Sequence, residues 1–251
     1  MDAARALPRS AHRRRWPIVL AILLLAPPLL FAAALLWPLS APPLPEPGNS
    51  RVIVNARVVD VARGQVSEPT TVTVRSGTII AIGETPRDTT LPVLDAGGRW
   101  LLPGFWDMHT HALQLSPQLQ FPLMLANGIT GTRDMMDCPQ ATDPLIACVA
   151  DKRRWTAQAV AGQQVAPRFM QIASFYFEDP SLSPDAAAER ARTYTARGID
   201  ALKVYNRLRA DTYQRLANEA QQLRRPLVGH LPRPVPLESA LQAGQRSFEH
   251  A

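Results

Sequence analysis

The sequence has 251 residues, of which 46% are hydrophobic and 19% are charged. This composition excludes a largely disordered chain and allows one large domain or two smaller ones. The net charge of +6 divides evenly between the first 50 residues and the rest, and no aromatic-interleaved basic patch or zinc-finger spacing accompanies it, so nucleic acid is not an expected partner. Two cysteines exclude a fold built on a disulfide framework.

The N-terminal segment predicts export of the rest of the chain. Five arginines lie within residues 1–15, and no charged residue follows until after Leu39. About twenty apolar residues in a helix span the ~30 Å hydrocarbon core, and the arginines before them predict a membrane anchor with the main domain in the periplasm. A cleaved secretory signal is the alternative. We therefore expect a basic cytoplasmic segment at 1–15, a signal anchor or signal peptide at 16–39 and a proline-rich linker at 40–50.

Residues 51–100 predict a small antiparallel β unit. The run 51–59 (RVIVNARVV) is rich in β-branched residues, and two short strands around Ser76-Gly77 indicate a hairpin. A further strand-like run at 93–95 precedes a glycine pair. A unit with so few strands would be only marginally stable alone.

From Trp100 onward, strand and helix patterns alternate, which is typical of a parallel sheet covered by helices. Six β/α units fit into residues 101–251, whereas a closed eight-unit barrel needs about 200–250 residues. An open doubly wound sheet is the structural alternative, but no GxGxxG or Walker motif supports it. The six strands are expected at 101–112, 128–135, 168–177, 199–206, 226–232 and 245–251.

Four histidines fall at the ends of these strands: His109, His111, His230 and His250. In parallel α/β sheets and barrels the carboxyl ends of the strands carry the active site. The first two are two residues apart, so both lie on one face of their strand, with Asp107 below them. A single histidine at a strand end is more often a hydrogen-bonded structural residue, but four equivalent placements predict a metal site.

Lys203 ends the fourth strand within the apolar run ALKVY. A protonated lysine resists burial and cannot ligate a metal. A neutral lysine that captures CO₂ becomes an anionic carbamate, whose two oxygens can bridge two cations. An ion pair at an element interface is the alternative. Tyr205 lies two residues on, hence on the same face, where it either contacts substrate or fills the barrel interior.

The segments LLPGFWDMHTHA, GITGTRDM, ALKVYN, VGHLP and SFEHA together resemble the amidohydrolase superfamily, in the branch of imidazolonepropionase and prolidase-like dipeptidases. The resemblance implies a distorted TIM-like (β/α)8 barrel with a β-sandwich built from both chain ends. It also implies two divalent metal ions, usually zinc. It assigns His109 and His111 to the first metal and His230 and His250 to the second, with carboxylated Lys203 as the bridge between them.

The resemblance further implies a reaction. A hydroxide that bridges the metals would attack the carbonyl of a small amide, dipeptide or cyclic amide. The family's aspartate after strand eight has no counterpart, since the chain ends just after the sixth predicted strand. The barrel is therefore expected to be incomplete, and residues 51–251 alone are expected to be poorly folded and inactive. A catalytically inactive metal-binding or scaffolding fragment is the alternative.

Cys138 and Cys148 follow the second predicted barrel strand. In an oxidising compartment they are candidates for a disulfide, which would stabilise the fold by about 2–3 kcal/mol in the chain-entropy picture. Free buried thiols are the alternative. A cysteine metal site is less favoured because the four histidines already supply one.

Overall fold

The computed structural model describes residues 16–36, 50–84 and 90–250. The predicted basic segment 1–15, residues 37–39 of the predicted span and residues 40–49 of the predicted linker lie outside the described residues. The chain divides into two compact units, residues 1–41 and 42–251.

The uncharged run near the N-terminus forms one helix, α1 (Trp16–Leu36). The helix includes Pro27 and Pro28, although proline removes a backbone donor from a helix interior. The window Pro17–Ala34 has a mean hydropathy of 2.4, and none of it is buried. The helix is therefore long and apolar enough to cross a bilayer. A secretory signal near an N-terminus has the same length and composition.

The β unit forms one mixed sheet. Its strands are β1 (Arg51–Asp60), β2 (Gln65–Val66), β3 (Thr70–Arg75), β4 (Thr78–Ile82), β5 (Val93–Asp95) and β6 (Trp100–Leu101). β2 and β3 pair with β1 in the antiparallel sense, whereas β5 and β6 pair with it in parallel. The expectation of a purely antiparallel unit is wrong. After β4 the chain returns to the other side of β1 instead of turning back beside β4.

The predicted hairpin joins β3 and β4. Ser76 and Gly77 form its two-residue turn with φ values of 50° and 76°. Positive φ at both central residues is the geometry that matches the right-handed twist of paired strands. The N–H of Ser76 donates to Ser50 Oγ at 2.8 Å, so the turn is also held from the chain segment that enters β1.

The second half of the chain folds as an arc of parallel strands. They are β7 (Phe105–Thr110), β8 (Ile129–Asp134), β9 (Arg168–Ile172), β10 (Leu202–Val204) and β11 (Leu227–Gly229). β7, β8 and β9 pair in that order, and β10 pairs with β11. Parallel bridges Ala173–Ala201 and Phe177–Val204 connect the chain after β9 to β10. Strand order follows chain order, as in part of a TIM-type barrel, whereas a doubly wound sheet reverses it.

Residues 245–250, the described part of the sixth predicted strand (245–251), do not form a strand. Gln245 forms a single parallel bridge to Leu227, and the N–H of Glu249 donates to Gly229 O at 2.8 Å. The segment therefore runs beside β11 without a continuous ladder. The side chain of Gln245 contributes to the missing ladder. Its amide donates to the carbonyl oxygens of His230 and Ser247, so these oxygens accept a side-chain donor in place of a strand partner.

Five helices alternate with the barrel strands. They are α2 (Ser116–Ala126), α3 (Val149–Val160), α4 (Pro184–Ala196), α5 (Ala210–Gln222) and α6 (Leu237–Gln242). The main core includes Phe121 of α2, Trp155 of α3 and Phe169 of β9. The Phe121 ring meets the other two edge to face, with centroids 5.2 and 5.7 Å away, an arrangement that aromatic pairs favour. This packing fixes the strands whose carboxyl ends carry the candidate site.

Candidate metal centre

The structure brings the four histidines of the predicted site together. The ring centroids of His109 and His111 are 5.2 Å apart, those of His109 and His250 are 4.7 Å apart, and those of His230 and His250 are 5.1 Å apart. The rings come from the carboxyl end of β7, the residue after β11 and the turn at 249–250. Imidazole nitrogen is a donor that zinc and related divalent metals prefer.

Lys203, the middle residue of β10, reaches the same cluster. Its Nζ is 3.4 Å from His111 Nε2, and the residue is only 1% exposed. Burial lowers the pKa of Lys203 to about 8, because a desolvated ammonium loses its hydration. None of the ion pairs within the described part of the chain includes Lys203. The interface ion pair that the sequence left open is therefore not what the structure shows.

Burial also lowers the pKa of two of the imidazoles, those of His111 and His230. Desolvation, together with the nearby charge of Lys203, lowers the pKa of His111 to about 4. Desolvation and the neighbouring His250 lower the pKa of His230. Its Nδ1 is buried and has no hydrogen-bond partner among the described residues, and such groups are rare in folded proteins. Neutral rings and an orphaned nitrogen fit a site that holds a metal ion.

A carboxylate outside the histidine cluster contacts His109. Glu249 Oε2 lies 2.9 Å from His109 Nδ1. The other carboxylate oxygen accepts from Arg133 Nη2 and from Ser247 Oγ, both at 2.7 Å. Burial opposes the charge, but hydrogen bonds from Ser247, His109 and Arg133 lower the pKa of Glu249 to about 2. The sequence indicates a role for the Glu249 carboxylate only by its position directly before His250.

Two aspartates hold the backbone around the first histidine pair. Asp107 Oδ1 accepts from the N–H of His109 at 3.0 Å. Asp134, at the end of β8, accepts from the N–H of Ala112 at 2.8 Å and from Thr110 Oγ1 at 3.1 Å. These last two residues flank His111. The direction of the chain on both sides of His111 is therefore fixed by one buried carboxylate.

Gly229 brings the lysine and histidine strands into close approach. Its φ is +114°, and a Cβ at this position would lie 2.3 Å from Val204 O and 3.1 Å from Lys203 Cγ. A side chain does not fit at that distance, and L-residues rarely adopt that φ. Because Gly229 directly precedes His230, its closeness to β10 keeps Lys203 and His230 side by side.

A cavity of about 580 Å³ opens beside three of the histidines, a size typical of small-molecule sites. The lining includes His109, His111, His250, Phe121 and Met124.

Tyr205 lies against His230, with ring centroids 4.0 Å apart, and is not among the residues that line this cavity. Its ring centroid is also 5.0 Å from that of Tyr176. Part of its contact surface is therefore aromatic packing beside the cluster. A role for Tyr205 as a substrate contact stays a prediction.

Cys138 and Cys148 form a disulfide, so the chain has no free cysteine. The disulfide closes the loop between β8 and α3. Within that loop, the N–H of Ala147 donates to Ala112 O at 3.1 Å. The closed loop therefore supports the segment directly after His111.

Proteins of known structure share this fold. A bottromycin amidohydrolase superposes with a TM-score of 0.61 at 24% identity, over 82% of this chain and 44% of its own. A putative prolidase from Bifidobacterium longum gives a TM-score of 0.66 at 19% identity, over 81% and 54% of the two chains. A Xaa-Pro dipeptidase gives 0.58 at 15% identity, over 80% and 61%. At these identities the likeness shows the fold, a TIM-type barrel.

Two curated proteins are similar in sequence over shorter stretches. The adenine deaminase of Listeria innocua is 33% identical over 81 residues, which are 32% of this chain and 14% of that protein. The dihydroorotase of Anaeromyxobacter dehalogenans is 32% identical over 113 residues, 39% of this chain and 25% of that protein. No family model matches the chain.

The matched length differs between the two kinds of relative. The chain spans a quarter or less of the two curated relatives and roughly half of the solved structures. The bottromycin amidohydrolase, the prolidase, the adenine deaminase and the dihydroorotase are all members of one superfamily. Their likeness agrees with the barrel described above. The chain is similar to these members of the amidohydrolase superfamily over part of its length and shares the barrel fold of those with solved structures.

Proposed function

We propose that the chain carries the histidine and lysine side of a metal-dependent hydrolase that cleaves the C–N bond of a small amide, dipeptide or cyclic amide. The observation that carries this proposal is the convergence of four histidines and the buried Lys203 at one end of the parallel barrel strands, with His250 supplied by the turn at 249–250. The neighbours named as a prolidase and a Xaa-Pro dipeptidase support a dipeptide as substrate.

This set of donors suits two divalent cations. We propose zinc because zinc prefers imidazole nitrogen. We assign His109 and His111 to one cation and His230 and His250 to the other, with a carbamate on Lys203 shared between them. Two observations support the shared role: Nζ of Lys203 lies 3.4 Å from His111 Nε2, and no ion pair among the described residues includes Lys203. A divalent cation held there lowers the pKa of water and polarises a carbonyl group.

The chain's own residues would bind and orient the substrate. The cavity beside His109 and His250 has apolar walls from Phe121 and Met124, which would receive an uncharged part of a small substrate and exclude water from it. Asp134 accepts from the backbone N–H of Ala112 and from the hydroxyl of Thr110, the two neighbours of His111, so the first histidine pair keeps its geometry while a substrate enters. Well-held groups of this kind are what a hydrolytic site needs for positioning.

We also propose that α1 anchors the protein with the hydrolase domain in the periplasm, or directs its secretion there if the helix is cleaved. The arginines of residues 1–15 support this orientation because positive charge is retained on the cytoplasmic side. The disulfide between Cys138 and Cys148 is an independent support, since disulfides persist in oxidising compartments.

The decisive experiment is hydrolysis after zinc loading by a protein in which this chain is part of a complete eight-unit barrel, because residues 51–251 alone are expected to be inactive. The panel contains Xaa-Pro and Xaa-Arg dipeptides, lactones and hydantoins. We expect turnover of at least one C–N substrate, and we expect His230→Asn to abolish it. His12→Asn is the matched control, because His12 lies in the N-terminal basic segment. Zinc binding without turnover of any substrate would point to a metal-binding scaffold. Full turnover by His230→Asn would contradict the site.

A further inference from the structure

Glu249 connects three separate parts of the barrel around one histidine. One carboxylate oxygen meets His109 Nδ1 at 2.9 Å, and the other accepts from Arg133 of β8 and from Ser247. Arg133 is itself fixed, because its Nε donates to Met108 O at 2.7 Å. The side chain of Glu249 is 11% exposed, so water competes little for these bonds.

The chemistry of this contact determines where the ring of His109 carries its proton. An ionised carboxylate has only acceptor oxygens, so in the contact with Glu249 the ring nitrogen Nδ1 must be the donor. A neutral imidazole has one protonated nitrogen and one lone pair. With Nδ1 protonated, the lone pair is on Nε2.

We propose that Glu249 is a positioning residue that holds His109 in the tautomer protonated on Nδ1, which leaves Nε2 as the nitrogen free to ligate a cation. The identity of the ligand as a metal ion rests on the proposed function, whereas the tautomer does not. Arg133 and Ser247 share this role indirectly, since they hold the carboxylate in place. Partners of this kind set the orientation and basicity of metal-ligating histidines.

Glu249→Gln is the informative substitution because it keeps the shape of the side chain. Arg133 and Ser247 both donate to one oxygen of Glu249, so the carbonyl oxygen of the new amide should face them. Its NH₂ group then faces His109 Nδ1. An NH₂ group can only donate, so the ring must move its proton to Nε2, the nitrogen that a cation would need.

Glu219→Gln is the matched control. Glu219 of α5 is 4% exposed and also accepts from two arginines, Arg192 and Arg215, each at 2.8 Å. The control therefore removes the same charge from a carboxylate that is at least as buried, at 5% against 11% side-chain exposure, and whose partners are arginines and not histidines. Ser247→Ala is a milder second variant, because it removes one donor to Glu249 and leaves the carboxylate in place.

The tautomer is measured first, by long-range ¹H–¹⁵N NMR of the metal-free, ¹⁵N-labelled full chain. The pH is held about 2 units above the ordinary histidine pKa of about 6.5. The His109 signals are identified by their loss in His109→Asn. Zinc affinity is then measured by competition with a chromophoric chelator.

We expect a proton on Nδ1 in the unmodified chain and on Nε2 in Glu249→Gln. We also expect Glu249→Gln to bind zinc about 10- to 100-fold more weakly, Ser247→Ala to show a smaller loss, and Glu219→Gln to change neither property. A proton on Nε2 in the unmodified chain would overturn the proposal, as would a Glu249→Gln variant that keeps both tautomer and affinity. Zinc binding that is absent from a chain with the expected tautomer would refute the proposed function alone.

Discussion

Lys152 Nζ lies 2.7 Å from Asp134 Oδ1, and neither side chain has exposed surface. The other oxygen of Asp134 accepts from the backbone N–H of Ala112 and from the Thr110 hydroxyl, so it contacts both neighbours of His111. A buried charge has lost its hydration, and the folded state tolerates that loss only while an opposite charge is paired with it. The pair therefore connects α3 to the strand end that carries the first two histidines.

Lys152→Met should destabilise the fold by about 3–5 kcal/mol, because it leaves the carboxylate of Asp134 buried without its partner. Arg153→Met is the matched control on the same helix. Its ion pair with Asp200 is partly exposed, at 42% and 33% of the two side chains, so its loss should cost about 1 kcal/mol or less. Urea unfolding at neutral pH measures both. Equal, small losses would show that Asp134 does not depend on Lys152.

Removal of the disulfide by Cys138→Ser with Cys148→Ser should lower the free energy of unfolding by about 3 kcal/mol, from the added freedom of the unfolded loop. The same loss should follow when the unmodified chain is reduced. Thermal unfolding with and without reductant tests this, and thiol alkylation followed by mass spectrometry confirms the oxidation state. Alkylation before reduction should show that both cysteines are in the disulfide. If the reductant then leaves the unfolding temperature unchanged, the disulfide contributes no stability.

Lys203→Ala should lose one or both bound cations, because the shared ligand is gone. A short carboxylic acid such as propionate should restore part of the metal content by replacing the carbamate oxygens. Lys203→Arg separates this role from that of an ion pair, since arginine keeps the charge but does not take up CO₂. Metal content is read by elemental mass spectrometry. Full metal content in Lys203→Arg would contradict the bridging role.

Acid should destabilise the pairing of α4 with α5 through Glu219. Burial acts against the charged form, but hydrogen bonds from Arg215 and Arg192 lower the pKa of Glu219 below its ordinary 4.5. The folded chain thus binds this proton less readily than the unfolded chain, so the contribution is complete above pH 4.5 and is lost as pH falls through the folded value. The free energy of unfolding should fall more steeply below that pH in the unmodified chain than in Glu219→Gln. Identical slopes in urea titrations would refute this.

Reporter fusions test the orientation of α1. Alkaline phosphatase fused after residue 50 should be active and green fluorescent protein should be dark, because the arginines of residues 1–15 keep the N-terminus in the cytoplasm. The opposite pattern would place the hydrolase domain inside. N-terminal sequencing of the purified protein then distinguishes an anchor, which retains residue 1 or 2, from a cleaved signal.

Much of the fold could be predicted from local patterns. Apolar runs that end in polar residues indicated the five strands β7 to β11, and Ser76-Gly77 indicated the turn between β3 and β4. Two of the predictions were wrong. The parallel pairing of β5 and β6 with β1 depends on where the chain crosses over, which no local pattern records. Residues 245–251 have a strand-like sequence, but the Gln245 side chain takes carbonyl oxygens of neighbouring segments.

The candidate site was predictable in its histidines and not in what surrounds them. His109 and His111 share a strand face by simple alternation, and the strand end at His230 follows from the apolar run before it. His250 was predicted at the end of a sixth strand, but in the structure it lies in a turn. The contacts of Glu249 with His109 and Arg133 join residues 140 and 116 positions apart. Contacts across such separations depend on how the strands are arranged in space, so they appear only once the strands have assembled. Metal binding by this cluster stays a prediction.

The backbone geometry of Gly229 has a consequence for how the gene can vary. A φ of +114° and an oxygen 2.3 Å from the place of a Cβ together exclude alanine, the smallest alternative, and every larger residue with it. A replacement would push β11 away from β10 and widen the gap between His230 and Lys203. In a saturation library selected for function, codon 229 should therefore accept only synonymous changes, while the exposed positions of α6 nearby accept many residues.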